Sequence, residues 1–348
     1  MLKRCYRMAI ITVAALAVLL GCSSGGSDPS STGTLILGLT DGPVESAFEV
    51  VVAFTGIELK PSGGPALDPI PMDEAACDYF DAATGTTCSI NLLDLTGTER
   101  KVVFRGALPA GEYEWVRLLV NAERDVMDSY LRLTGDGAMC SLWVPSGSET
   151  GLKIVSGITV TANGVSDYTL DFDVRKSVTN PPGLAFDDGA ACLENYVLKP
   201  AIRIVDNTEV GAIAGPVDVA LLEGDTSCSF DDVSGYYENL AVYVFEDFDG
   251  TSPAVGDDLD EDDDFPDPVT SASVVWDDTQ SAYIYEAGFL LAPNDYHLAL
   301  TCTADMDGAV DDDYDPQSPG AGDFHFVAER KVSVQVGMTA DGSFPESP

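Results

Sequence analysis

The chain has 348 residues, of which 45% are hydrophobic, so it can bury the cores of two ordinary domains and is not globally disordered. Its 58 acidic and 17 basic residues give a formal net charge of −41, which argues against nucleic acid and anionic lipid headgroups as partners. Such acidity favours solubility and attracts cations, but it does not specify a fold.

The N-terminus reads MLKRCYRMAIITVAALAVLLGC. Lys3, Arg4 and Arg7 form a positive n-region, and Ala9 to Leu20 form an apolar run too short to span a bilayer as a mature helix. The run ends in Leu19, Leu20, Gly21 and Cys22, which resembles a bacterial lipobox. The resemblance implies a signal peptide over residues 1–21, cleavage before Cys22 and a diacylglyceryl group on its thiol. Residues 22–33 continue as a Ser-, Gly- and Pro-rich flexible tether. Ser23 stands where an Asp would imply inner-membrane retention, so the expected address is the cell outer membrane, with the face left open.

Beyond the tether, helical periodicity is scarce and strand-like runs bounded by Gly, Pro, Asp and Asn recur. In the first part these are TLILGLT, FEVVVAFTGIELKP, SINLLDL, KVVFRGAL, EYEWVRLLVNA, SYLRLT, CSLWVP, YTLDFDV and YVLKPAIRIV. The second part has VGAIAGPVDVALL, LAVYVFED, SASVVW, AYIYEAGF, YHLALTC and RKVSVQVGM. From Glu209 onward there are 32 acidic residues and only two basic ones, Arg330 and Lys331, whereas 26 acidic and 15 basic residues precede it. This shift places a boundary near residues 206–211. The expected architecture is all-β: two tandem antiparallel β-sandwich domains, 34–207 and 208–348.

Two resemblances have their residues in these runs. GTLILGLTDGPVESAFEVVVAFTGIELKPSGG, INLLDLTG, LPAGEYEWVRLLV, VPSGSETGLKI, YTLDFDVRKSV and YVLKPAIRIV, in this order, resemble the bacterial domain of unknown function 4382 family over about residues 33–206. That implies an exported, often lipid-anchored β domain, with no catalytic residues to carry over. GAIAGPV and YIYEAGFLLAPNDYHLALTC resemble the carboxypeptidase regulatory-like, transthyretin-like sandwiches, although Asn294, Asp295 and Tyr296 depart from the usual Gly–Tyr pair. This second resemblance implies an accessory or spacer module.

Cys5 leaves with the signal and Cys22 carries lipid, leaving six cysteines in an exported chain, which reads as disulfides. Cys228 and Cys302 are the only two of the second part and pair if it folds alone. Among the other four, the favoured pairs are Cys77 with Cys88, stapling CDYFDAATGTTC, and Cys140 with Cys192. With no C-x-x-C and only His297 and His325, a zinc site is not expected.

Each candidate for chemistry competes with a plainer reading. His297 and His325 lie in apolar strand surroundings and no G-x-S-x-G elbow is present, which argues against nucleophilic hydrolysis. Asp171 and Asp173 share a strand face like paired glycosidase carboxylates, but Arg175 and Lys176 beside them favour a structural ion pair. Lys199, Arg203 and Arg117 are candidates to extend that basic spot into an anion-binding patch. Trp115, Trp143 and Trp276 lie in strand-like runs, where core packing is the default.

DMDGAVDDD fits part of a calcium-loop template, with Asp305, Asp307 and Asp311 at ligand positions. Thr303 and Tyr314 miss its two ends, so a solvated acidic loop is the favoured reading and a looser calcium site the alternative. The run DDLDEDDDF reads as solvated loop.

The expected function is a non-enzymatic cell-envelope binding, adhesion or scaffolding module. It is anchored to the membrane by its N-terminal lipid and holds an unknown envelope protein or glycan, with no nucleic acid and no cofactor beyond calcium. The alternatives are a carboxylate-dependent envelope glycan hydrolase and a calcium-stiffened surface stalk.

Overall fold

The computed structural model describes residues 31–42, 47–81, 85–133, 137–145, 151–179, 196–199, 201–247, 266–304 and 324–345. The first half runs β1 (Thr32–Gly42), β2 (Ala47–Pro61), β3 (Tyr79–Asp81), β4 (Thr87–Asn91), β5 (Lys101–Pro109), β6 (Gly111–Asn121), β7 (Tyr130–Leu133), β8 (Met139–Trp143), β9 (Leu152–Ile154), β10 (Ile158–Val160) and β11 (Val165–Asp173). A short helix α1 (Val174–Ser177) follows, then β12 (Val178–Thr179), β13 (Tyr196–Leu198) and β14 (Ile202–Asp206). The second half runs β15 (Val210–Val217), α2 (Val219–Gly224), β16 (Phe230–Asp231), β17 (Tyr236–Tyr237), β18 (Ala241–Glu246), β19 (Thr270–Ser273), β20 (Val275–Asp277), β21 (Ala282–Leu291), β22 (Asn294–Thr301), β23 (Phe326–Val334) and β24 (Thr339–Asp341).

The fold is all-β. In the first half, a four-stranded sheet of order β14-β11-β1-β5 packs on a larger sheet built around β6-β2-β7-β8. Alternation makes the core: Leu35, Leu37 and Leu39 of β1 and Val50, Val52 and Phe54 of β2 are buried on facing surfaces. Phe54 meets Phe172 of β11 edge-on across the gap, with ring centroids 6.4 Å apart. In the second half, sheet β20-β21-β15-β24 packs on sheet β19-β18-β22-β23 around Ile213, Tyr283, Tyr285, Val242, Val244, Leu298 and Leu300. The two cores divide at the turn between β14 and β15.

Not every pairing is antiparallel: β1–β11, β8–β13 and β15–β24 are parallel. The β1–β11 pair needs a long crossover, and most of the larger sheet of the first half is built from residues lying between its two strands, with β12 and β13 added after β11.

Several segments depart from the strands the sequence suggests. In SINLLDL the chain leaves β4 for a 3-10 turn at Leu92–Asp94, because Leu92 and Leu95 both turn into the core three residues apart. DVALL is helical: Asp218 caps α2 by accepting from the Ala220 amide at 2.9 Å, and Leu222 is buried. YVLKPAIRIV splits into β13 and β14 of different sheets, on either side of a proline that has no amide to give a ladder. SASVVW also splits, into β19 and β20, and the chain changes sheets at Val274. Trp115 and Trp143 are not core residues. They lie half-buried on outer surfaces, Trp115 under Arg117 and Lys153 at 4.6 and 5.0 Å and Trp143 under Arg124 at 5.4 Å. Trp276 packs partly against the second core.

Residues Ser31–Pro348 cluster as one unit, because the two halves touch closely. Gly288 of β21 lies so near Gly97 that a Cβ there would come within 2.3 Å of the Gly97 carbonyl oxygen. Tyr243 and Phe245 on the outer face of β18 are fully buried with Phe324. The guanidinium of Arg175, itself buried, hydrogen-bonds the Tyr243 hydroxyl and lies 5.0 Å over its ring.

Candidate functional site

Strand register builds a cleft of about 740 Å³ on the outer face of the larger first-half sheet. Because Val50, Val52 and Phe54 face the core, Glu49, Val51 and Ala53 must face outward. Val51 stands opposite Asn91 of β4 on one side and Tyr130 of β7 on the other. One row further on, Ala53 stands between Ser89 of β4 and Asn121 of β6, and Tyr79 of β3 continues that row beyond Ser89. Small residues therefore floor the cleft, while Tyr79 and Tyr130 rise at its sides. Asp78, Asp81, Asp94, Asp128 and Met127 complete the lining.

The walls are held by specific bonds. The disulfide Cys77–Cys88, with Cα atoms 5.2 Å apart, ties the residue before Asp78 to the buried side of β4. Asp78 accepts from the Asn91 amide at 2.8 Å and pairs with Lys101. Asn91 in turn accepts from the Val50 amide at 3.0 Å through its side-chain oxygen. Glu49 pairs with Arg132 at 3.2 Å. Burial raises the Tyr130 hydroxyl above its ordinary range, and Glu49 adds to this. Tyr79 is 66% exposed and Met127 50% exposed, so both offer apolar surface to solvent.

A second cluster lies at the ends of β1 and β11. Asp171 accepts from Arg203 Nε at 2.6 Å, an ion pair of the kind its sequence neighbourhood suggests but with a different cation. Asp173 caps α1 by accepting from the Lys176 amide at 3.0 Å. Lys176 reaches Asp267 of the second half at 3.1 Å, and Arg117 pairs with Glu58 on the other sheet. These basic residues are thus spread among separate partners rather than gathered into one anion patch. Asp41 is buried beside this cluster, and neither carboxylate oxygen reaches a hydrogen bond. Burial raises Asp41 well above the usual carboxylate range, reinforced by Asp171 and Asp173, while the nearby Val174 and Gly42 amides, short of full hydrogen-bond geometry, offset it in part.

A third grouping brings together Ser227, His325 and Asp225. Ser227 Oγ lies 2.9 Å from His325 Nε2, and Asp225 lies 3.4 Å from the same nitrogen. A catalytic serine gives its proton to the imidazole, and the acid orients the other ring nitrogen. Here the Ser227 hydroxyl donates to Asp225, and Asp225 lies at the same ring nitrogen as Ser227. His297 meets Glu329 at 2.7 Å across β22 and β23.

The disulfide Cys228–Cys302 is formed, with Cα atoms 4.9 Å apart. Cys140 is disulfide-bonded, and its expected partner Cys192 lies outside the described residues. Cys22, the calcium candidates Asp305, Asp307 and Asp311, and the DDLDEDDDF run also lie outside them. The sequence reading missed the cleft itself. Its signals were the polar alternation of Thr87, Ser89 and Asn91 and the tyrosine and carboxylates inside the Cys77–Cys88 loop.

Residues 32–200 match the model of the family described as "Domain of unknown function (DUF4382)". No curated protein matches the chain. Among solved structures, the chain is similar to the major pilin from Streptococcus pyogenes, at 10% identity over 90% of this chain and 99% of that one, with a TM-score of 0.12. A point mutant of that pilin gives 10% identity over 90% of this chain and 100% of that one, with a TM-score of 0.13. Likeness at these scores carries no structural argument.

Proposed function

We propose, from the match of residues 32–200 to the DUF4382 family model, that the chain is a lipid-anchored, non-enzymatic binding module of the bacterial cell envelope. The observation that carries the reading is the cleft on the larger first-half sheet. It combines a floor of small residues, two tyrosine walls and five carboxylates in one concavity of ligand size. The signal-like N-terminus and its Cys22 support the outer-membrane address, and the disulfides suit an oxidising compartment. The acidic second half, with its paired four-stranded sheets, fits a carboxypeptidase regulatory-like accessory module that follows the cleft domain along the chain.

A photo-crosslinking residue placed at Met127, which is half exposed in the cleft, tests this reading in cells. The expected result is a discrete crosslinked envelope component, absent when the same residue is placed at exposed Val165. Equal labelling from both positions overturns the proposal.

A further inference from the structure

We infer that the cleft takes an amine-bearing glycan, an inference that rests on the binding reading above. Its floor strands β2 and β4 are hydrogen-bonded to neighbours on both sides, so the floor presents side chains rather than a free strand edge to a ligand. What it presents suits sugar rings. Tyr79 exposes most of its ring at one wall, and aromatic faces stack on the apolar faces of pyranose rings and attract cations. Ser89 and Asn121 add hydroxyl and amide groups along the row that Tyr79 begins.

Charge narrows the class. Among the described residues, no lysine or arginine lines the cleft, and two nearby cations are engaged, Lys101 with Asp78 and Arg132 with Glu49. Asp94 and Asp128 have no ion pair among the described residues, which leaves two carboxylates open to an ammonium group. Uronic or phosphorylated glycans would meet this lining, and a chain of net charge −41, with like charge. A free amino sugar places an ammonium directly on a ring that Tyr79 can stack against, so both features are used at once.

Calorimetric titration of the full lipidated chain in neutral detergent, at physiological salt, tests the assignment. The probes are the β-1,4-linked tetramers of glucosamine and N-acetylglucosamine, tetragalacturonate and tetralysine. Saturable binding of the glucosamine tetramer is expected, about tenfold weaker for the N-acetylated tetramer and absent for tetragalacturonate. Tyr79→Ala and Asp128→Asn should each weaken it about tenfold. Both substitutions change cleft side chains outside the buried core, and the denaturation midpoint of each variant confirms the fold. No saturable binding of the glucosamine tetramer overturns the inference, as does tetralysine binding equally tightly or Tyr79→Ala binding unchanged. A specific crosslink from Met127 combined with any of these failures would retain the binding module and discard the glycan.

Discussion

Asp41 is a buried carboxyl whose compensation among the described residues is slight. It continues the inward-facing series of Leu35, Leu37 and Leu39, so register places a carboxyl where a further aliphatic side chain would sit. It is 4% exposed, without a hydrogen-bonded oxygen, and has Asp171 and Asp173 as electrostatic neighbours. Its folded pKa is raised above the unfolded value, so the folded state holds the proton more tightly. That stabilising contribution is complete below the unfolded pKa and is lost as pH rises toward and through the folded one. Asp41→Asn keeps the size and removes the ionisation. Its stability should match the parent near pH 4 and exceed it increasingly toward pH 8, measured by chemical denaturation. A constant offset across that range would show that Asp41 does not titrate with folding. Asp171 shows the contrast: burial raises it first, but Arg203 pulls it back, so Asp171→Asn should forfeit an ion pair and destabilise at neutral pH.

The element that decides the cleft is the β3–β4 hairpin. β3 has only three residues and pairs with β4 alone, so local pairing gives it little stability of its own. The Cys77–Cys88 bridge closes a short loop around it, and Asp78 fastens it again through the Asn91 amide and Lys101. Replacing both cysteines by alanine should cost about 2–3 kcal/mol in chemical denaturation. It should also abolish the specific Met127 crosslink while the rest of the first core remains folded. A retained crosslink would show that the tyrosine wall stands without its staple. This hairpin also marks the limit of what the sequence made legible. The run at residues 112–122 announced its strand because the core imposes period two on it, whereas residues 48–61 announced theirs through β-branched and apolar content. The short bridge was legible because Cys77 and Cys88 enclose an irregular segment. The cleft was not legible, because it depends on which outer faces become adjacent. Ala53, Ser89, Asn121 and Tyr130 meet through a register that spans much of the first half. The strand-to-helix change at Asp218 was hidden for a related reason: VALL is apolar enough for either element, and the cap decides.

At the scale of the whole molecule, two sandwiches with separate cores are joined by a tight seam. A cation buried at such a seam is stable only if polar groups meet it, and the Tyr243 hydroxyl and ring supply part of that need for Arg175. At Gly97 and Gly288 the seam instead relies on bare backbone, since any side chain at 288 would strike the Gly97 carbonyl. The halves should therefore unfold together. The tryptophans make this measurable, because Trp115 and Trp143 report on the first half and Trp276 on the second. Proteins retaining only the first pair or only Trp276, the others changed to phenylalanine, should give coincident denaturant transitions. Tyr243→Phe removes one hydrogen bond to a charged group and should lower both transitions by about 1.5–3 kcal/mol while keeping them together. Gly288→Val forces the backbones apart and should split them, with the Trp276 transition and the Trp115–Trp143 transition at different midpoints. If the transitions already differ in the parent protein, the seam is only a contact between independent sandwiches. The second half would then be an accessory module free to reorient against the cleft domain, rather than one fixed rigidly to it.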